Sequence, residues 1–246
     1  MNLLAIMRQE RYRKRLTPIP FFFTFANACL GFLAIIKSLE GEYSAAVYCI
    51  VAAAFMDVFD GRLARALGTT SMIGVELDSL VDGISFCLAP AVIFYTAYPY
   101  DMNAIHFATL LAYVCAGLYR LAKFNVHTGP SHLYFSGLPT PMAAFSVISL
   151  VLHQDWLLAH SGHFIFLQHL PFCFIGLVAL LMISPVPFKK HSAFSPGEVA
   201  IIICTTSMGS AIAGKFGYPW LLLGIIAYIM AALMCYGYYA LARSKS

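Results

Sequence analysis

Residues 56–86 read MDVFDGRLARALGTTSMIGVELDSLVDGISF, and this stretch holds five of the eleven acidic residues of the chain. They are Asp57, Asp60, Glu76, Asp78 and Asp82. The 246-residue chain is otherwise strongly apolar, with 61% hydrophobic residues, 11% charged residues and a mean hydropathy of +0.79. Soluble domains carry about 25% charged residues. We therefore predict an integral membrane protein in which this acidic stretch has a function, because ionisable groups at membrane depth are energetically unfavourable.

The apolar runs divide the chain into membrane-spanning helices. A span needs about 20 apolar residues, and eight predicted spans lie near 18–37, 43–66, 77–98, 103–124, 139–158, 164–184, 198–216 and 219–241. The predicted fold class is therefore all-α, a polytopic membrane helix bundle that forms a single domain over residues 1–246. Its motif-bearing core covers about 18–158, and additional C-terminal helices cover about 164–241.

The distribution of basic residues predicts the orientation. Eight spans place both termini on one side of the membrane, and all but two of the fifteen Lys and Arg residues fall on that side. The exceptions are Lys37 and Lys215. Because positively charged loops face the cytoplasm, we predict that both termini and the turn after Arg62 are cytoplasmic. The membrane is then expected to be the cytoplasmic membrane.

Helical spacing gathers the aspartates on two faces. Asp57 and Asp60 are three residues apart and share a face of the second predicted helix. Asp78 and Asp82 are four residues apart and share a face of the third. Since two helices joined by a short turn are antiparallel neighbours, we predict that the four carboxylates converge.

Four converging carboxylates repel one another and resist ionisation unless a cation compensates their charge. Hard oxygen ligands select Mg²⁺, Mn²⁺ or Ca²⁺. Two divalent ions would neutralise the charges of the four carboxylates. Gly61 and Gly74 remove side chains where a ligand or another helix comes close. Arg65 lies on the Asp57 face and can hold a phosphate through its guanidinium. The spacing thus predicts a metal site for phosphate chemistry.

Two other interpretations of the acidic stretch remain open at this point. The aspartates could be ion-paired at helix ends, with Arg62 and Arg65 as partners. They could also line the ion pathway of a channel or transporter, where buried carboxylates also occur.

The same residues resemble a family motif. Asp57-x-x-Asp60-Gly61-x-x-Ala64-Arg65, eight residues, and Gly74-x-x-x-Asp78-x-x-x-Asp82 match the full pattern of the CDP-alcohol phosphotransferases. Three further stretches resemble the membrane-integral phosphatidylserine synthases: ELDSLVDGISFCLAP at 76–90, YRLAKFN at 119–125 and YFSGLPTPMAA at 134–144. Lys123 and Cys87 depart from the Arg and Gly that are usual there.

The resemblance implies an enzyme that transfers the phosphatidyl group of CDP-diacylglycerol to the hydroxyl of L-serine and releases CMP. It also implies a homodimer and a requirement for Mg²⁺ or Mn²⁺; we expect no nucleic-acid partner. Inositol phosphate or glycerol phosphate remain alternative acceptors. Their phosphate would require more cations than Arg120 and Lys123 provide, which favours serine.

The resemblance also implies roles for individual residues. Asp57, Asp60 and Asp78 would bind two metal ions, and Asp82 would lie at the edge of the cluster and act as the general base. The residues expected to contact CDP are Gly61, Ala64, Arg65, Gly74 and Asn27. Those expected to hold serine are Arg120, Lys123 and Asn125, for which an ordinary role as membrane anchors is the alternative.

Overall fold

The computed structural model describes residues 18–98, 101–126, 134–153 and 165–189. These residues form six helical segments and two short strands. The helices are α1 (Pro18–Leu39), α2 (Tyr43–Leu67), α3 (Met72–Ala97), α4 (Ala104–Val126), α5 (Thr140–Leu152) and α6 (Ile165–Ile183). The strands are β1 (Tyr134–Ser136) and β2 (Pro187–Lys189). The described residues are thus helical apart from these strands and the connecting turns, as the fold class predicts.

Four helices, α1 to α4, are long and apolar enough to cross a membrane. The predicted spans near 18–37, 43–66 and 103–124 agree with α1, α2 and α4 to within two residues at each end. The helix α5 and the apolar part of α6, His169–Ile183, are shorter. The predicted spans near 198–216 and 219–241 lie outside the described residues, so the total of eight stays a prediction.

The turn between α2 and α3 is shorter than predicted, because α3 begins at Met72 and not near 77. Gly68 ends α2 in the left-handed conformation, with φ 62°, and its N–H donates to the Arg65 carbonyl. Ser71 then starts α3 as its N-cap, since its Oγ accepts the Gly74 N–H at 3.0 Å. The predicted start near 77 is therefore five residues too late, because hydropathy does not register the Ser71 cap that starts the helix.

A π-helical segment, Gly83–Leu88, interrupts α3 directly after Asp82. Such segments are often found at functional sites. Here α1 makes a close approach: a Cβ added to Gly31 would collide with Ser85 Oγ and lie 2.9 Å from Ser85 Cα. The chain just after Asp82 is therefore packed closely against α1.

The chain divides into two compact units, the first ending at Ile93 and the second beginning at Phe94. In the first unit α1 packs along α2 and against α3. In the second unit α6 packs against α4 and α5, and β1 pairs with β2 in antiparallel register, with the Phe135 Cα opposite that of Phe188.

The helix α1 has its apolar side chains outside and its polar ones inside. Phe22 and Phe32 are 69% and 62% exposed, whereas Thr24 and Asn27 are 4% and 0% exposed. This distribution suits a helix whose outer face contacts lipid chains, because the exposed aromatic rings are then surrounded by lipid and not by water. It leaves the polar side chains to face α2 and α3.

We expect Gly137→Ala to destabilise the second unit by about 2 kcal/mol or more. Gly137 has φ 86°, and a Cβ there would collide with the Met182 carbonyl oxygen. Its N–H donates to the Val186 carbonyl at 2.8 Å, so the backbone cannot move away without losing this bond. The measurement is the midpoint of thermal unfolding in one detergent.

Gly176→Ala on α6 is the matched control for this substitution. The added Cβ would meet Thr109 Cγ2 at 3.7 Å, an ordinary contact, and Ala favours the helix. A midpoint for Gly137→Ala that equals that of Gly176→Ala would contradict the strain argument.

Candidate metal centre and active site

Three aspartates meet between α2 and α3. Asp57, Asp60 and Asp78 each offer a carboxylate oxygen, and the three oxygens lie within 4.8 Å of one another. Asp60 is buried, and the other two are half-buried. The spacing of the motif and the short Gly68–Ser71 turn bring them together, as we expected from the sequence.

Asp82 lies at the edge of this group. The Asp57 carboxyl lies close to those of both Asp78 and Asp82. Asp82 is 8% exposed, and Asn27 Nδ2 donates to its Oδ1 at 3.5 Å. The fourth carboxylate therefore has an amide donor from α1 as its neighbour.

The carboxylate oxygens suit a hard divalent cation. Asp60 Oδ2 and Asp78 Oδ1 are buried, and no described residue donates a hydrogen bond to either. A buried carboxylate oxygen without a donor is unfavourable unless a cation or another donor meets it. A donor set of carboxylates alone selects Mg²⁺, Mn²⁺ or Ca²⁺ over zinc or copper.

The arginines of the motif do not neutralise the cluster through direct ion pairs. Within the described part of the chain, neither Arg62 nor Arg65 makes an ion pair within 4.0 Å with Asp57, Asp60 or Asp78. Arg65 does attract Asp60 and Asp78 at longer range. This arrangement disfavours the interpretation of the aspartates as ion-paired helix ends.

The glycines of the motif lie in two different places. A Cβ on Gly61 would lie 3.4 Å from Arg65 Nη1, so Gly61 leaves room for the guanidinium above the α2 surface. A Cβ on Gly74 would lie 3.2 Å from Ser71 Oγ and 3.6 Å from Phe21 Cε1. Gly74 therefore permits the close contact of the α3 cap with α1. Ala64 is half-buried, and its carbonyl accepts the Thr69 N–H.

Sequence reasoning missed the face of α1 that covers the cluster. Thr24, Asn27 and Gly31 are spaced by three and four residues and share one buried face. Thr24 lies beside Asp60, and Asn27 contacts Asp82. The available signal was two polar residues at helical spacing in an otherwise apolar span. We expected Asn27 at the nucleotide, and the structure places it mid-helix against Asp82.

The predicted serine-binding residues lie at the end of α4, in the second unit. Arg120 is buried, and its Nη1 donates to Thr140 Oγ1 at 3.4 Å. Lys123 is exposed and Asn125 is half-buried. Thr140 begins α5 directly after the Gly137 loop, so Arg120 fixes the end of α4 to the start of α5.

The comparison with known families matches residues 17–183 to the family described as CDP-alcohol phosphatidyltransferase. The chain belongs to this family. The match spans all six described helices, and the resemblance that the motif predicted is confirmed. The matched range contains Asp57, Asp60 and Asp78, which meet between α2 and α3.

Relatives in the family carry names that refer to serine. The chain is 36% identical over 174 residues to a CDP-diacylglycerol–serine O-phosphatidyltransferase of Helicobacter pylori, with 70% of this chain and 71% of the relative covered. It is 34% identical over 224 residues to the enzyme so named in Mycobacterium tuberculosis, with 86% and 75% covered. It is also 34% identical over 175 residues to an archaetidylserine synthase of Methanothermobacter thermautotrophicus, with 70% of each chain covered. The names differ in the lipid and share serine.

Proposed function

We propose that this protein is a phosphatidylserine synthase, which transfers the phosphatidyl group of CDP-diacylglycerol to the hydroxyl of L-serine and releases CMP. The observation that carries the proposal is the cluster of Asp57, Asp60 and Asp78 with Asp82 at its edge, in a member of this family. The shared word in the relatives' names supports serine as the acceptor.

The carboxylates have two roles in this proposal. Asp57, Asp60 and Asp78, with Asp82 at the edge, hold two ions of Mg²⁺ or Mn²⁺. When bound, these ions would neutralise the charge of the pyrophosphate and of the leaving CMP. The buried oxygens of Asp60 and Asp78 that lack donors support this assignment.

Asp82 acts as the general base. It takes the proton of the serine hydroxyl as the oxygen attacks the phosphorus atom that bears the lipid. The bond from that phosphorus to the CMP oxygen breaks, and CMP leaves with the electron pair. The displacement is direct and uses no covalent enzyme intermediate. The position of Asp82 beside the cluster, and not at its centre, supports this role.

The other motif residues bind substrate in this proposal. Gly61, Ala64, Arg65 and Gly74 line the CDP site, and the Arg65 guanidinium holds a phosphate in a bidentate contact. Arg120, Lys123 and Asn125 hold the serine carboxylate. The active subunits form a homodimer in the cytoplasmic membrane, with both termini and the active site on the cytoplasmic side. The lipid tails of the donor then stay in the bilayer.

An acceptor screen tests the proposal. Purified protein in detergent receives CDP-diacylglycerol with Mg²⁺ or Mn²⁺, and serine, inositol, inositol phosphate and glycerol phosphate are added separately. We expect CMP release with serine alone and none in the presence of a chelator. Release with a different alcohol would retain the metal site and reject serine. No release with any acceptor from folded protein would reject the transferase and favour an ion transporter.

A further inference from the structure

Asn27 is a fully buried polar side chain beside the carboxylate cluster. It is 0% exposed, and its Nδ2 lies 3.5 Å from Asp82 Oδ1. An ionised carboxylate can only accept hydrogen bonds, so the amide must turn its N–H toward Asp82. This requirement fixes which end of the amide is the carbonyl.

The carbonyl of that amide lacks a donor. Asn27 Oδ1 is buried, and no described residue donates a hydrogen bond to it. The two nearby hydroxyls are directed elsewhere: Ser85 Oγ donates to the Asn27 backbone carbonyl at 3.2 Å, and Thr24 Oγ1 donates to the Pro20 carbonyl at 3.3 Å. Buried acceptors are rarely left without a donor in native proteins. We therefore infer that a bound ligand donates the missing hydrogen bond to Asn27 Oδ1.

We propose that Asn27 belongs to the acceptor pocket and recognises a 1,2-amino alcohol. Its N–H positions the carboxylate of Asp82, and its carbonyl accepts a hydrogen bond from the ammonium group of the acceptor. This inference rests on the proposed function, and it replaces the nucleotide contact that we expected for Asn27 from the sequence.

The chemistry of the acceptor fits both ends of the amide. In serine the hydroxyl and the ammonium are on adjacent carbons. When the hydroxyl lies at Asp82, the ammonium is therefore within reach of the Asn27 amide, which contacts Asp82. Inositol phosphate and glycerol phosphate have no ammonium, and the donor that each brings to the same carbonyl is a neutral hydroxyl. A hydrogen bond from a charged donor is about twice as strong as one from a neutral donor, which favours serine over these acceptors. Asn27 thus selects for an amine without any additional acidic residue.

The experiment measures kcat and both KM values for Asn27→Leu and Asn27→Asp. Leu is similar in shape and removes both polar ends. Asp keeps an oxygen for the ammonium and removes the N–H that faces Asp82. Ser85→Ala is the matched control, because Ser85 contacts the backbone of Asn27 and not its side chain. Mn²⁺ binding without substrate is followed for each protein, as a readout that does not depend on turnover.

For Asn27→Leu we expect the serine KM to rise and kcat to fall, each by about tenfold or more. The KM for CDP-diacylglycerol and the affinity for Mn²⁺ should stay within about twofold. For Asn27→Asp we expect kcat to fall about tenfold while the serine KM stays within about threefold. Ser85→Ala should behave as the wild type in all four measurements.

Several results would overturn the inference. A raised KM for CDP-diacylglycerol with an unchanged serine KM in Asn27→Leu would return Asn27 to the nucleotide site. A weakened affinity for Mn²⁺ would make it a metal ligand. If Asn27→Leu does not fold, Asn27→Asp decides, and an unchanged kcat or a serine KM raised about tenfold would reject the proposal. Wild-type protein that releases no CMP with serine would instead reject the proposed function itself.

Discussion

Asp82→Asn is expected to reduce turnover by about 10²- to 10⁴-fold, while nucleotide binding stays close to that of the wild type. Asn has the shape of Asp and can still face Asn27, so the fold around the π-helical segment should persist. It cannot accept the proton of the attacking hydroxyl. The three carboxylates that meet within 4.8 Å do not include Asp82. The loss should therefore appear in kcat and not in the KM for CDP-diacylglycerol, both measured by CMP release.

Glu76→Gln provides the control for this variant. Glu76 is on the same helix, it is exposed, and it lies off the face that Asp78 and Asp82 share. Removing its charge should leave kcat within about twofold of the wild type. Near-normal turnover in Asp82→Asn would remove Asp82 from the role of general base. A large rise in the KM for CDP-diacylglycerol would make it a binding residue instead.

The sequence contains most of the information for the metal cluster. Asp57 and Asp60 must share a helix face because they are three residues apart, and the short turn that follows them makes α3 an antiparallel neighbour. The apolar runs likewise give the bounds of α1, α2 and α4. These features depend on local periodicity, which a single sequence shows directly.

The remaining features depend on contacts between distant residues. Asn27 and Asp82 are 55 positions apart, and their pairing requires the register of α1 against α3. The π-helical segment at Gly83–Leu88 carries no periodic signal, and the close approach of Gly31 to Ser85 accompanies it. The start of α3 was missed for a local reason, since the Ser71 N-cap determines where the helix begins and hydropathy does not register a capping side chain.

The second large effect is expected for Asp60→Asn. Compared with the wild type, its midpoint of thermal unfolding should be higher without metal and lower with saturating metal. Asp60 is 4% exposed and lies beside Asp78, and its Oδ2 has no donor among the described residues. Without metal, the variant removes a buried charge from a group of like charges, so its midpoint of thermal unfolding should exceed that of the wild type. With saturating Mg²⁺ or Mn²⁺, the wild type gains stability from the bound ions.

The variant should gain much less from the same ions, because it has lost a ligand. We expect the metal concentration for half-maximal activity to rise at least about tenfold and turnover to fall at least about 100-fold.

Asp101→Asn is the control: Asp101 is an exposed carboxylate outside the cluster, and its loss should change neither midpoint. The two midpoints separate a metal site from a simple network of charges. If metal raised the midpoint of Asp60→Asn as much as that of the wild type, Asp60 would not be a ligand. If Asp60→Asn lowered the midpoint without metal, Asp60 would be a structural partner in the fold, since removing its charge would then have relieved no repulsion.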